Sequence, residues 1–456
     1  MDRLRFPFGR APLWLLVCAL VSGLMVLASE LRLNAERPDL VLATFVPAQH
    51  AAYERLLPQF EKTHGVSVKA ELVTWQALRG RLQNALLAGA KVADLVELSE
   101  DSMGFYTRGP LSDIGFLDLT ERIEREGLRK KIVDSRFSLW STRGRVFALP
   151  HDVHPVMLTY RRDLVEELGI DVSKLETWDD FVTMGRRITR DLNGDGVPDR
   201  YALDLPMSGS WGLRTLLIQR GGSLIDARGH YDLTAPHIAD TIEWYIEQTF
   251  GPERIAFEFG WGQPLAKALL DGLALFYITP DWRTQLFEMD VPKLRGKLGV
   301  MPLPAWTPGG RRTSVWGGSG LAITKQCRRP ELAWELAKFL YLNEAELGRR
   351  FAETGVLPPF VDAWDQPELT APDPFYSGQR VGQLFASLAP QTPPVYSSPY
   401  RSVVEVKLDE AFGRAVQHYK LHGKYGFRAQ VATLLESAQR DAELITGRNR
   451  LAARDE

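Results

Sequence analysis

Cysteine is almost missing from this chain, whose 456 residues include only Cys18 and Cys327. Cys18 lies within an apolar N-terminal stretch, out of reach of any cysteine in a folded domain, so no internal disulfide is expected. This shortage does not place the chain in a reducing compartment, because a domain with a sizeable core folds without disulfides anywhere. A strong charge of one sign is missing too. The 55 basic and 57 acidic side chains are interspersed and leave a formal net charge of -2, so electrostatics give no reason to expect a nucleic-acid partner. The sequence also lacks a phosphate-cradling Gly-rich loop followed by Lys, a nucleophile elbow, an internal repeat and a low-complexity segment. Of the enzyme chemistries weighed, that leaves paired carboxylates, as a glycoside hydrolase would use them.

One long hydrophobic run is present. Arg3, Arg5 and Arg10 precede an uncharged stretch from Ala11 to Ser29, which as a helix would extend about 28 Å, just enough to cross a bilayer. Basic residues ahead of the run place the N-terminus in the cytoplasm and everything after Glu30 outside. Residues 1–29 are therefore expected to be a single-pass anchor in the cytoplasmic membrane, and 30–38 a polar tether. A cleaved signal peptide is the competing reading, with Val26 and Ala28 as the small residues before the cut. Val17 rather than Gly or Ala precedes Cys18, which argues against a lipoprotein.

After the tether, strand and helix periods alternate. Leu40 to Phe45 is an apolar run of strand length, and Tyr53, Leu56, Leu57 and Phe60 recur at helical spacing until Gly65. Val66 to Val73 returns to strand character, Trp75 to Leu87 is again amphipathic, and Ala93 to Leu98 is a third strand. This β-α-β-α-β order predicts a parallel sheet wrapped by helices. In such sheets ligands gather beyond the C-terminal strand ends, which singles out the loops Thr44 to His50 and Ser99 to Met103. A chain this long exceeds one core, so two lobes are expected. Val403 to His418 and Ala429 to Ile445 are expected as closing helices.

Several segments, in order, resemble the extracellular solute-binding proteins of family 1, the group that includes maltose-binding protein. Asp94 to Asp101 followed by Gly104-Phe105-Tyr106 resembles the family's ligand-facing loop. Gly144 to Pro150 resembles its hairpin before the first crossover, and Leu158 to Leu164 its tyrosine, basic, aspartate, leucine pattern. Thr177 to Phe181 and Leu270 to Leu275 continue the likeness. The resemblance implies an α/β fold of two hinged lobes, with residues 39–150 in lobe 1, 151–316 in lobe 2, and 317–456 returning to lobe 1 with the C-terminal helices leaning on it. It also implies a non-enzymatic component of an ABC importer, needing no cofactor. The implied partners are a sugar or other carbohydrate-like solute and permease subunits with a cytoplasmic ATPase. A membrane-tethered ligand sensor is the alternative.

Candidate ligand residues follow from chemistry and place. Glu100 and Asp101 stand after the third strand, where ionised carboxylates can accept hydrogen bonds from sugar hydroxyls. Asp152 and His154, with His151, fall at the implied first crossover, and their spacing matches no common zinc pattern. Trp211, Trp282 and Trp316, like Trp261, lie beside Gly, Ser or Pro in expected loops, and a flat indole can stack on a pyranose face. Tyr396 and Tyr400 lie in the Pro-rich return. A separate stretch offers metal chemistry. Asp191, Asn193 and Asp195 present oxygen at alternate positions, Val197 a carbonyl and Asp199 a further carboxylate, which is most of an EF-hand loop. Ala202 stands where that loop carries its bidentate glutamate. A structural calcium is the expectation, and a polar turn that caps its own backbone the alternative.

Overall fold

The computed structural model describes residues 11–35, 38–207 and 211–448. The strands among them run in two groups. First come β1 Leu40–Thr44, β2 Val68–Leu72, β3 Leu95–Ser99, the hairpin β4 Ser141–Thr142 and β5 Arg145–Val146, and β6 Leu149–Pro150. Then follow β7 Val156–Arg161, β8 Tyr201–Asp204, β9 Ala256–Phe257, β10 Ala274–Pro280, β11 Leu298–Pro302 and β12 Ser319–Ile323. One sheet has the order β2-β1-β3-β12-β6 and the other β11-β7-β10-β8-β9. Each is the heart of one lobe.

Local sequence accounts for the first lobe. β1 pairs in parallel with β2, Leu40 opposite Val68, and with β3, Leu42 opposite Leu95. A parallel strand covered on both faces must be apolar along its length, as Leu40, Leu42 and Ala43 are. Helix Pro47–His64 begins on a proline whose missing N–H loses no bond there, and ends on Gly65 at φ 65°, a left-handed residue that glycine adopts without strain. Its Tyr53, Leu56, Leu57 and Phe60 are buried as one face. In the second lobe, helix Trp178–Ile188 starts from a reciprocal capping box between Thr177 and Asp180.

Three segments run side by side between the lobes. The chain leaves the first sheet after β6 and enters the second at β7. It comes back between β11 and β12, where Trp316 N donates to His154 O at 3.3 Å and Pro155 bridges Val315. A third passage follows helix Glu344–Thr354, with Val153 N donating to Leu357 O at 3.1 Å.

Two expectations change here. The return to lobe 1 holds for helices Pro330–Tyr341 and Glu344–Thr354, and for Phe360, Ala363 and Val395, which pack on the first lobe's core. Leu357, Phe375, Tyr376 and Phe385 then join the second lobe's core beside Tyr277 and Leu298. The closing helices, Arg401–His422 and Phe427–Thr446, also pack on the second lobe, with Phe412 edge-on to Tyr245 of helix Pro236–Phe250. Lys424 and Arg428 pair with acidic residues of that same helix.

The N-terminal segment forms helix Ala11–Ala35, in which every described side chain from Leu13 to Met25 is exposed. Among the described residues no helix is long and apolar enough to cross a membrane. The transmembrane expectation is therefore not supported. The basic residues at positions 3, 5 and 10 lie outside the described residues.

Candidate functional site

The loops after β1 and β3 face the hinge segments and the second lobe across a cleft of about 620 Å³. Eight of the residues singled out from sequence line it: Glu100, Asp101, Asp152, His154, Trp211, Trp261, Trp282 and Trp316. Tyr396 does not. It lines a narrow neck and a second cavity beyond, and its backbone N–H donates to Ser223 Oγ.

Aromatic side chains form most of one wall. Trp261 and Trp282 are nearly parallel, 16° apart with centroids 6.5 Å from each other, and Trp316 stands edge-on to both. Trp282 Nε1 donates to Trp316 O at 3.0 Å, which fixes the plane of the indole. The Arg283 guanidinium lies 4.6 Å from the Trp261 ring, a cation–π contact on a buried charge. Across the cleft the first lobe contributes Trp75, whose Nε1 donates to Ser99 Oγ at 2.6 Å, while that hydroxyl donates to Asp101 Oδ1 at 2.7 Å. Trp75 opens the helix after β2, so the rule that drew attention to the loops after β1 and β3 also reaches it. Phe45 and Gln49 complete this side.

The hinge carries the strongest electrostatics. His154 adopts φ 57°, a left-handed conformation costly for a residue with a side chain, and its ring bridges two carboxylates. Nδ1 lies 2.6 Å from Asp281 Oδ1 and Nε2 3.2 Å from Asp152 Oδ2. Burial favours the neutral ring, but the carboxylates of Asp152 and Asp281 outweigh it and push His154 up to about 10. Asp152 is held well below the usual carboxylate range: burial opposes this, and His154, together with the bonds from both histidines, overcomes it. Its Oδ2 also accepts from Ser319 N at 2.8 Å and Ser319 Oγ at 2.5 Å. Gly317, at φ 110°, leaves room for this ring, since a Cβ there would come within 2.9 Å of His154 Cδ2.

Two carboxylates expected to face ligand are thus occupied by the protein. Asp152 serves the hinge. Glu100 accepts from Arg401 Nη2 at 3.2 Å, and its backbone carbonyl accepts from Nη1 at 3.0 Å. Arg401 also binds Glu405 Oε1 at 2.8 Å, and Arg214 reaches the same oxygen at 2.7 Å. Asp101, by contrast, accepts from the Ser99 hydroxyl.

Away from the cleft, Asp191, Asn193, Asp195, Val197 and Asp199 form an exposed turn that satisfies itself. Asp191 accepts from the N–H groups of Gly194 at 2.6 Å and Gly196 at 2.7 Å, the second being the larger reason its carboxyl lies below the usual range. Asp195 accepts from Val197 N and Asp199 from Leu192 N. Among the described residues no group of His, Cys, Asp or Glu is arranged to hold a metal ion. These bonds fit the polar-turn alternative. Millimolar calcium added to chelator-treated protein is accordingly expected to leave the melting temperature unchanged; a saturable rise lost in Asp195→Ala would restore the calcium reading.

Residues 47–347 match the bacterial extracellular solute-binding protein family. The chain belongs to that family. This solute-binding protein is similar to an arabinooligosaccharide-binding protein of Halalkalibacterium halodurans, 24% identical over 341 residues that cover 74% of each chain. It is also similar to an arabinooligosaccharide-binding protein of Bacillus subtilis, 23% identical over 78% of this chain and 82% of the relative. Among solved structures, the sugar-binding protein MalE from Xanthomonas citri matches with a TM-score of 0.74 at 18% identity, over 91% of this chain and 99% of that one. A cyclo/maltodextrin-binding protein complexed with maltotetraose matches with a TM-score of 0.66 at 19% identity, over 89% and 97%. At such identities the structures establish the two-lobed fold, and membership of the family places the domain outside the cytoplasm.

Proposed function

We propose that this protein captures a neutral saccharide in the interlobe cleft and delivers it to the permease of an ABC importer by closing its lobes on the ligand. The observation that carries this reading is the tryptophan wall, Trp261, Trp282 and Trp316, faced across the cleft by Trp75 and Asp101. Indole faces match the C–H faces of a pyranose or furanose, and Asp101 is placed to accept from its hydroxyls. Lining charge selects further. Among the described residues lining it, the acidic ones are Glu100, Asp101 and Asp152, and the one cationic side chain, His154, is held between two carboxylates. A sugar phosphate or uronic acid would meet the Asp101 carboxylate there, with the lining imidazolium already held by carboxylates. The sugar-binding relatives support the same class of ligand, and closure favours whichever state the ligand bridges.

A thermal-shift screen over arabinooligosaccharides, maltodextrins and their acidic analogues tests this. A neutral saccharide at a hundred times its Kd adds about 2.7 kcal/mol of stability, a rise of several degrees, while acidic analogues leave the midpoint in place. A panel in which only anionic sugars raise the midpoint would overturn the reading.

A further inference from the structure

Three cavities lie between the same two lobes. The front cleft measures about 620 Å³. A rear cavity of about 870 Å³ is bounded by Ser138 and Arg143 of the first lobe, Arg228 of the second, and the segment from Tyr396 to Tyr400. Between them is a neck of only about 30 Å³. Glu100, Trp211 and Trp316 line both the front cleft and the neck, and Tyr396 lines both the neck and the rear cavity. The three are one groove interrupted in its middle.

Arg401 lines the neck together with Val395, Tyr396 and Val404, and its side chain spans it from Glu100 to Glu405. It extends from the first turn of helix Arg401–His422, grips Glu100 of the first lobe through both terminal nitrogens, and binds Glu405 of its own helix through Nε. Glu405 is held in turn by Arg214. A space of ~30 Å³ accommodates about one water molecule and no sugar ring. Moving the guanidinium aside would leave Glu100 and Glu405 with one arginine between them in a nearly closed site, an outcome a few additional ligand contacts do not offset. We propose that Arg401 sets the length of the bound ligand: it blocks the neck behind the front cleft, and so excludes oligosaccharides too long for that cleft from the rear cavity. This inference rests on the saccharide reading above.

Calorimetry with two series of increasing length, arabinooligosaccharides and maltodextrins, supplies the test. In the wild-type protein, affinity for the series that binds should rise with length and then level off once the front cleft is full. The double variant Arg401→Ala, Glu100→Gln removes one charge of each sign and keeps the Glu405–Arg214 pair. In it, affinity should go on rising past the wild-type limit, by roughly tenfold for a ligand that reaches the rear cavity. Arg401→Lys keeps a cation in the neck and should retain the wild-type limit. Coincident length profiles in the wild type and the double variant would overturn the proposal. If the double variant does not fold, wild-type affinity that climbs without a limit overturns it equally. Failure of the wild type to bind either series removes the saccharide reading and this inference together.

Discussion

Replacing His154 with glutamine is expected to lower the stability of the protein by about 3–5 kcal/mol and to remove most of its loss of stability at alkaline pH. The imidazolium is buried at the hinge between Asp152 and Asp281, whose side chains are 1% and 0% exposed. Glutamine can donate to one of them but carries no charge. Asp281 is left with two backbone donors, Trp282 N and Leu357 N, and Asp152 with Ser319, His151 Nδ1 at 3.4 Å and an arginine nitrogen 3.5 Å away. The left-handed backbone at this position is then retained without the bonds that made it tolerable.

The pH dependence separates this electrostatic role from simple packing. His154 is raised from 6.5 to about 10 in the folded protein, so between those values the folded state holds a proton that the unfolded state has released. Its contribution is fully present below about pH 6.5 and is lost as pH rises through 10. Seen from Asp152, whose carboxyl is depressed, the same pair is retained above about pH 4 and lost on acidification. Asp204, pushed up to about 6 by burial, acts in the opposite sense, favouring the folded state most at low pH. It is ionised in both states above pH 7, so the decisive comparison is from pH 7 to 10. There, urea unfolding should show wild-type stability falling toward that of His154→Gln. Parallel curves across that range would show that the ring acts by packing alone.

Much of the first lobe was legible because its signals are local. Alternation of strand and helix periods between Leu40 and Leu98, closed by Gly65 and Gly89 in left-handed conformations, needs nothing from distant parts of the chain. The placement rule for open sheets likewise brought Glu100 and Asp101 to the cleft, and loop context brought Trp211, Trp282 and Trp316. What escaped depends on partners far away in sequence. Glu100 has the chemistry of a ligand acceptor, and only the tertiary structure reveals Arg401, 301 residues on, holding it. The amphipathic stripes of the last two helices state that a face is buried but not against which lobe, and only the tertiary structure shows them packed on the second lobe's core, with Phe412 against Tyr245. The turn at Asp191 has calcium-loop spacing, yet its acceptors face its own N–H groups. Trp75 was legible as a helix residue, and its cleft role depended on its being the first residue of that helix.

Trp282→Ala is expected to weaken binding of the neutral saccharide found in the screen by roughly 30-fold, about 2 kcal/mol, with little change in the fold of the ligand-free protein. The side chain is partly exposed and belongs to the wall of the cleft rather than to the centre of a core. Its removal takes away one face of the near-parallel pair with Trp261 and leaves the Trp316 carbonyl without its indole donor. An aromatic face buried against a sugar contributes through both area and contact geometry, the combination typical of residues that dominate binding. Trp282→Phe keeps a stacking face but a smaller one, and loses the N–H that fixes its plane against the Trp316 carbonyl. Phenylalanine should recover most of the affinity, leaving a deficit of about 1 kcal/mol from the lost ring area and the freed plane. The change should appear mainly in the dissociation rate, since the wall acts on the ligand after the lobes have met. Titration calorimetry and stopped-flow fluorescence of the two variants would read these quantities. Wild-type affinity in Trp282→Ala would remove the tryptophan wall from the binding site.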